Sequence, residues 1–265
     1  MFQKVKKGVS LLLIIVLLPY IVTIFINGQS VKTDKISDLD EYCIGLLAKE
    51  VSSDYEDEML KVQAVIVRTT VYSQISELKE EDLDTEELDA SWYKKLKSIW
   101  KETEGQVMMY NDKLALLPFH QLSNGKTRSG QEVLESEEYP YLQMVECPKD
   151  IGGDLQMQTK VIQVSGVEIL NRDSAGYVTE VKIGEEIKSG DNFRDTYGLA
   201  SSCFDVQGFE DKTRVITKGV GHGLGLSQYT ANEMAKEGKG YKEILNYFFP
   251  QTEMREVAEI LWRAE

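Results

Sequence analysis

The sequence predicts an α+β fold: one mixed domain with helices at both ends and a β-rich middle, carried behind a single N-terminal transmembrane helix. Three observations support this. A lysine-flanked apolar run opens the chain. Apolar residues then recur at helical spacing between Asp38 and Thr103, and again after Ser227. Between them, from about 105 to 200, short runs rich in Val, Ile, Tyr and Thr are punctuated by glycine and serine.

The opening reads MFQKVKKGVSLLLIIVLLPYIVTIFINGQS, with Lys4, Lys6 and Lys7 ahead of an apolar run from Val9 to Ile26. A helix needs roughly 20 apolar residues to cross a bilayer core. The run exceeds the roughly 7–15 apolar residues of a cleavable signal, and no small-x-small cleavage site follows it. Lysines before the span place the N-terminus in the cytoplasm, and Pro19 is tolerated inside a membrane helix. The expected organisation is a cytoplasmic tip and signal anchor over 1–28, a polar linker over 29–37, and one extracytoplasmic domain over 38–265. The protein is then a single-pass protein of the cell membrane. A long cleaved signal would export the same domain.

The chain has 265 residues and a formal net charge of −14. Such an acidic balance argues against a nucleic-acid partner, which calls for a basic face. Cys43, Cys147 and Cys203 lie far apart without a C-x-x-C, which disfavours a zinc ribbon or redox pair. Buried apolar thiols are the simplest reading. One disulfide is compatible with export, and the sequence does not choose the pair.

Taken in order, DLDEYCIGLLAKEV from Asp38 to Val51 reads as a helix with Cys43, Leu46, Leu47 and Glu50 on one face. Glu56 to Ser76 reads as a long helix with acids in its first turn, where the helix dipole favours them. Leu78 to Asp89 is an acidic connection, and Ala90 to Thr103 a third helix. QVMMYNDKLALLPFH reads as a hairpin turning at Asn111-Asp112. VIQVSGVEIL and GYVTEVKI read as further strands, before the helices SQYTANEMAKEG and GYKEILNYFF.

Several residues are candidates for chemistry. A carboxylate on the apolar face of the first helix is expected to be partly desolvated, which favours the protonated form that a general acid needs. Glu50 is that residue, although a glutamate at a helix end also simply meets water. Lys61 and Arg68, seven apart, share a face of the second helix. They suit an anionic substrate, the ionised form of Glu50, or salt bridges to nearby acids. His120 and His222 are the two histidines of the chain, each in a polar, glycine-bearing segment.

KGVGHGLGLSQY, from Lys218 to Tyr229, puts four glycines around His222 just ahead of a helix. No βαβ unit follows, so a dinucleotide fingerprint is not supported, and no Gly-Lys-Ser/Thr closes a phosphate loop. Close backbone approach remains, either to a ligand or within a tight turn. On the ligand reading, Gly223, Ser227, Gln228 and Tyr229 line the same place.

These motifs together resemble the stage II sporulation protein D family of peptidoglycan lytic transglycosylases, over nearly all of the exported part. KGVGHGLGLSQYTANEMAKEG is similar to the family's long glycine-histidine signature. AKEVSSDYEDEMLKVQAVIVRTTVY is similar to its A-x-E…Q-A-V-A-A-R-T-Y segment. FHQLSNGKT, YPYLQMVECP, NFRDTYGLASSCFDV and GYKEILNYFFPQTEM match its remaining stretches. Val51-Ser52, Gln121-Leu122, Asn124 and Thr230 depart from the pattern.

The resemblance implies that Glu50 is catalytic and that Lys61, Arg68, His120, Lys218, His222, Gly223, Ser227, Gln228 and Tyr229 bind substrate. It implies cleavage between N-acetylmuramic acid and N-acetylglucosamine to 1,6-anhydro ends, on glycan strands stripped of stem peptides, in sporulation and engulfment. No cofactor is implied. Some family members hold zinc through a histidine at the position of His120 and two nearby cysteines; no cysteine follows here until Cys147, so no metal is expected. A cell-wall amidase and other membrane engulfment proteins are the implied partners. The alternative is a non-catalytic glycan-binding protein that stimulates an amidase.

Overall fold

The structure, a computed structural model, describes residues 39–75, 78 and 88–257. The expected anchor and linker lie outside the described residues, and no helix within them is long and apolar enough to cross a membrane.

Three helices come first: α1 over 39–50, α2 over Asp57–Ser73 and α3 over Ala90–Glu102. α2 is buried on nearly every side, as its sequence of Val, Ile, Leu and Ala requires. One flank, through Leu60, Ala64, Val67 and Val71, packs on Cys43 and Leu47 of α1 and on Leu96 and Ile99 of α3. The other, through Met59, Val62, Val65 and Ile66, meets a second core that contains Tyr141, Leu245 and Phe248. α3 starts at Asp89, whose carboxylate accepts from the amides of Ser91 (2.9 Å) and Trp92 (3.1 Å), an N-cap that satisfies two orphan donors.

Strands β1 (Gln106–Tyr110) and β2 (Lys113–Leu114) form the expected hairpin, with Asn111 and Asp112 at φ of 49° and 59° in its turn. Positive φ at both turn residues matches the right-handed twist of the strands. β3 (Phe119–His120) does not join this hairpin. After α4 (Gly130–Leu134) and a short 3-10 helix (Pro148–Gly152) come β4 (Met157–Ile162), β5 (Val167–Arg172), β6 (Val178–Ile183) and β7 (Glu186–Ser189). Then follow α5 (Gly190–Tyr197), β8 (Phe204–Phe209), β9 (Lys212–Lys218), β10 (Leu226–Ser227), α6 (Gln228–Lys236), α7 (Tyr241–Phe248) and β11 (Glu253–Glu256).

The sheets are β11-β1-β2, the parallel pair β10-β3, β4-β9-β8 and β5-β6-β7. A third core of Ile162, Val178, Val181, Phe193, Phe204 and Val215 lies between the last two sheets and α5. The β-rich region therefore runs to Lys218 rather than to about 200. A last strand, β11, returns from the C-terminal helices to pair antiparallel with β1. Cys43, Cys147 and Cys203 are free, buried thiols, so the disulfide option is not taken.

The Lys61 and Arg68 stripe has a different role from substrate capture. Arg68 is 2% exposed. Its guanidinium donates to the carbonyls of Trp100 (3.1 Å), Thr103 (2.6 Å) and Gln106 (3.2 Å), and lies 3.7 Å from the centre of the Trp100 ring. Those carbonyls belong to the last turn of α3 and the chain beyond it, so Arg68 is a buried cap at the negative end of a helix dipole. Lys61 is held between Glu58 (2.7 Å) and Glu102 (2.9 Å), and hydrogen bonds to both hold its ammonium well above the usual lysine range. The stripe clamps α3 onto α2.

Arg68→Lys keeps the charge but loses the planar fork that reaches three carbonyls. It is expected to lower the unfolding free energy by about 2–3 kcal/mol, read as a lower urea midpoint. An unchanged midpoint would show that the clamp does not exist.

Candidate functional site

A cleft of about 420 Å³ opens where α1 ends, lined on one side by Lys49, Glu50 and Ser52 and on the other by Phe119, His120, Gln121, Gly221, His222 and Gln228. Glu50 is the carboxylate of this lining. Glu50 and Gln228 meet here across 178 positions of chain, and two short parallel strands bring the His120 and Gln228 segments together: β3 pairs with β10 in the register Phe119↔Leu226 and His120↔Ser227.

Glu50 is the last residue of α1. The buried stripe of that helix runs through Cys43, Ile44 and Leu47 to Val51, and Glu50 stands beside it, exposed. The expectation of a desolvated glutamate is therefore corrected: the carboxylate faces open solvent in the cleft. Its position is nevertheless fixed through the backbone. The Gln228 Nε2 donates to the Glu50 carbonyl (2.8 Å) and to the Oε1 of Gln63 (3.2 Å). Gln228 is the first residue of α6 and 5% exposed, so this amide closes the C-terminal end of α1 from across the fold.

The two imidazoles have different protonation patterns. His120 is 4% exposed, and its Nδ1 lies 3.2 Å from the Leu224 carbonyl, which can only accept. The proton therefore sits on Nδ1, leaving Nε2 as a bare acceptor, buried and without a partner. Burial pushes the imidazolium form of His120 down to about 3, helped by His222 and opposed by the Leu224 carbonyl. In His222 the Nδ1 accepts from the Leu224 amide (3.0 Å), which places the proton on Nε2. Burial, then Arg194, lowers the His222 pKa as well. The rings stand 5.8 Å apart, one presenting an acceptor and the other a donor.

The glycine loop between β9 and β10 packs against the protein itself. Gly219, Gly221, Gly223 and Gly225 have φ of 79°, 107°, 80° and 74°. A Cβ would fall 2.6 Å from the Leu122 carbonyl oxygen at Gly219, and 2.8 Å from the His120 Cβ at Gly221. At Gly223 it would enter the Tyr177 ring, and at Gly225 the Pro118 carbonyl. The main chain is occupied too: Val220 and Leu122 exchange hydrogen bonds of 2.7 and 3.1 Å, and Gly223 O accepts from the Arg128 amide at 2.8 Å. The expectation that this backbone lies open to a ligand is corrected. Bare backbone is needed to seat His222 against His120.

Ser227 and Tyr229 also sit differently from the expectation. Ser227 is fully buried as the N-cap of α6, accepting from the Thr230 amide (3.3 Å), and the Tyr229 amide is bound to the Gln121 carbonyl (3.1 Å). Lys218 lies outside the cleft, 3.2 Å from Asp205. Of the expected site residues, the cleft brings together Glu50, His120, His222 and Gln228.

Three residues that pattern reasoning passed over hold this arrangement. Asp150, fully buried, accepts from the Ser123 amide (2.7 Å) and from the hydroxyls of Ser227 (2.9 Å) and Thr230 (2.6 Å). Thr230, a departure from the family pattern, thus has a partner. Arg128, 3% exposed, binds Asp173 (2.6 Å), Asp191 (2.9 Å) and the His222 carbonyl (3.2 Å). Gln63 orients Gln228. Gln63 stands at the glutamine of the family's Q-A-V-A-A-R-T-Y segment, whereas Asp150 and Arg128 carry no sequence signal, because each acts on partners far along the chain.

The stage II sporulation protein family model (SpoIID) matches residues 27–110. The chain is 30% identical to stage II sporulation protein D of Bacillus subtilis (strain 168), over 84% of this chain and 76% of that protein. It is 28% identical to the protein of the same name from Bacillus amyloliquefaciens, over the same shares. It is 24% identical to the amidase enhancer of Bacillus subtilis, over 78% of this chain and 39% of that protein.

A pH dependence of stability follows from His120. An unfolded histidine takes up its proton near 6.5 and the folded ring near 3. The stability contributed by the neutral ring is therefore complete above about 6.5 and lost as the pH falls toward 3. Between about pH 6.5 and pH 5 the loss amounts to about 2 kcal/mol. His120→Gln should flatten the fall of the urea midpoint over this range. Equal slopes in the two proteins would mean that the ring titrates in the native state. Separately, Gly225→Ala is expected to cost at least 2 kcal/mol, roughly, from its φ and its collision with Pro118, read as a lower melting temperature.

Proposed function

Because this chain belongs to the stage II sporulation protein D family, we propose that it is a lytic transglycosylase acting on peptidoglycan during sporulation. The observation that carries the reading is the single carboxylate of the cleft lining, Glu50, which shares that lining with His120 and His222. Hydrolytic glycosidases generally use two carboxyl groups, one as acid and one as nucleophile or base. One carboxyl suffices when the attacking hydroxyl belongs to the substrate.

In the proposed reaction, protonated Glu50 gives its proton to the glycosidic oxygen as the bond from C1 of N-acetylmuramic acid to that oxygen breaks. The muramic acid 6-hydroxyl then attacks C1, its proton passes to the Glu50 carboxylate, and the acid is regenerated. The products are a 1,6-anhydro end and a new free hydroxyl, and no water is consumed. Glu50 is open to solvent without substrate, and a bound strand displaces that water. His120 and His222, both in the cleft lining, give the strand a neutral surface to pack against. This assigns positioning work to the imidazoles, with proton transfer at Glu50 alone.

The anchor over 1–28 holds the domain outside the cytoplasmic membrane within reach of the wall. The family implies a glycan stripped of stem peptides, whose lactyl carboxylates are exposed. The likeness to an amidase enhancer supports a second reading, in which the protein binds glycan without cutting it and stimulates a cell-wall amidase.

The full chain in detergent, as wild type and Glu50→Gln, is incubated with amidase-treated and untreated glycan, and the products are weighed. The expected outcome is anhydro-muramic ends from wild type, mainly on stripped glycan, and at least a hundredfold fewer, roughly, from the variant. Intact glycan from both proteins, with binding and amidase stimulation retained, would replace catalysis by the second reading.

A further inference from the structure

With Lys61 and Arg68 committed to α3, the anionic strand of the proposed reaction needs another source of positive charge. The sheet β4-β9-β8 supplies it. Along β9 the residues 213, 215 and 217 are buried, so 212, 214, 216 and 218 face outward. Strand alternation thereby puts Lys212, Arg214 and Lys218 in one column on the solvent face of the central strand. None of the three is buried.

The antiparallel registers fix what flanks the column. Met157 and Val161 of β4 stand opposite Lys218 and Arg214. Gln207 and Phe209 of β8 stand opposite Arg214 and Lys212. The apolar flanks are open to solvent, Met157 at 64%, Val161 at 44% and Phe209 at 38% exposure. The Arg214 guanidinium lies 5.7 Å from the Phe209 ring centre and 3.4 Å from the Gln207 amide oxygen. Asp205 is the acid of this face, bound to Lys218 (3.2 Å) and to Arg172 (2.7 Å). Glu210 and Asp211 stand in the turn beyond the far end.

The strand that carries the column leads along the chain to the cleft. From Lys212 to Lys218 the strand covers about 20 Å. It then passes through Gly219 into Gly221 and His222, which line the cleft. A linear chain leaving the cleft along β9 meets Lys218, then Ile216, then Arg214 and Lys212, with apolar and aromatic side chains beside them on which sugar rings can lie. The rest of the molecule is acidic, so a column of this kind acts only at short range, within about 10 Å of the surface. That range favours a strand laid on the sheet over a wide anionic membrane surface, which would also meet the protein's excess of carboxylates.

We propose that the outward face of β4-β9-β8 is an accessory glycan-binding track, which takes the carboxylate-bearing strand as it leaves the cleft. The proposal rests on the reading of the substrate as peptide-stripped glycan. It adds a site outside the cleft that governs affinity for long strands.

The test uses the full chain in detergent as wild type, Lys212→Glu/Arg214→Glu and the milder Lys212→Gln/Arg214→Gln. Each is sedimented with insoluble amidase-stripped peptidoglycan, and each is titrated with a soluble stripped tetrasaccharide that fills the cleft alone. The expected result is roughly tenfold weaker sedimentation for the reversal variant and a smaller loss for the neutral one. Tetrasaccharide affinity stays equal in all three, and wild-type sedimentation weakens with added salt. If the reversal variant fails to fold, the neutral pair and the salt series decide.

Unchanged sedimentation of the variants would overturn the track. So would a parallel loss of tetrasaccharide affinity, since the substitutions would then act through the fold. Vesicles containing phosphatidylglycerol are run alongside; loss of vesicle binding with wall binding intact would replace the track by a membrane contact. A wild type that cuts nothing, yet loses long-strand binding on charge reversal, would retain the track while the catalytic reading falls.

Discussion

One buried carboxylate organises the half of this fold that forms the cleft. Among the described residues no cation pairs with Asp150, and a bare carboxylate in the interior is costly unless its lone pairs are used. Three donors from two distant segments use them: the Ser123 amide, the Ser227 hydroxyl and the Thr230 hydroxyl. The first follows His120, and the other two begin α6. Asp150 therefore locks β3 to the start of α6, which places Gln228 where its amide reaches the Glu50 carbonyl. The position of the cleft carboxylate is inherited from a residue that lines no part of the cleft.

The glycine loop follows the same economy. Close contact between β3 and the segment that returns to β10 leaves no room for a Cβ at Gly219, Gly221, Gly223 or Gly225. A side chain at any of them would push His222 away from His120. The Leu224 residue then serves both rings, its carbonyl bound to one and its amide to the other. Opposite tautomers result, so a neutral pair offers an acceptor and a donor together without carrying charge. Buried histidines with lowered pKa values hold that pattern at neutral pH.

Charge is distributed by function rather than by average. The chain is strongly acidic, yet its buried cations are spent on architecture: Arg68 on the end of α3, and Arg128 on Asp173, Asp191 and the His222 carbonyl. On β9, Lys212, Arg214 and Lys218 stay on the outward face of the strand. An anionic polymer responds to the nearest charges, because solvent and salt screen the remote ones.

The sequence by itself determined the helices at both ends, the Asn111-Asp112 hairpin, the strands between about 157 and 187 and the family. Each of these is written in local periodicity, turn chemistry or a contiguous motif. It also drew attention to Glu50, His120, His222 and Gln228, because they lie inside such motifs. Only the tertiary structure decided what those residues meet. Helical spacing put Glu50 on an apolar face, but burial of α1 follows Cys43, Ile44, Leu47 and Val51, and a residue one position off that stripe at a helix end reaches solvent. Equal spacing made Lys61 and Arg68 look like a free cationic stripe, whereas the packing of α3 on α2 turned them into a clamp. The return of β11 to β1, the hub at Asp150 and the pairing of β3 with β10 join segments far apart in the chain. Contacts of that kind leave no periodic trace, since each partner must satisfy only its own neighbours until the fold brings them together.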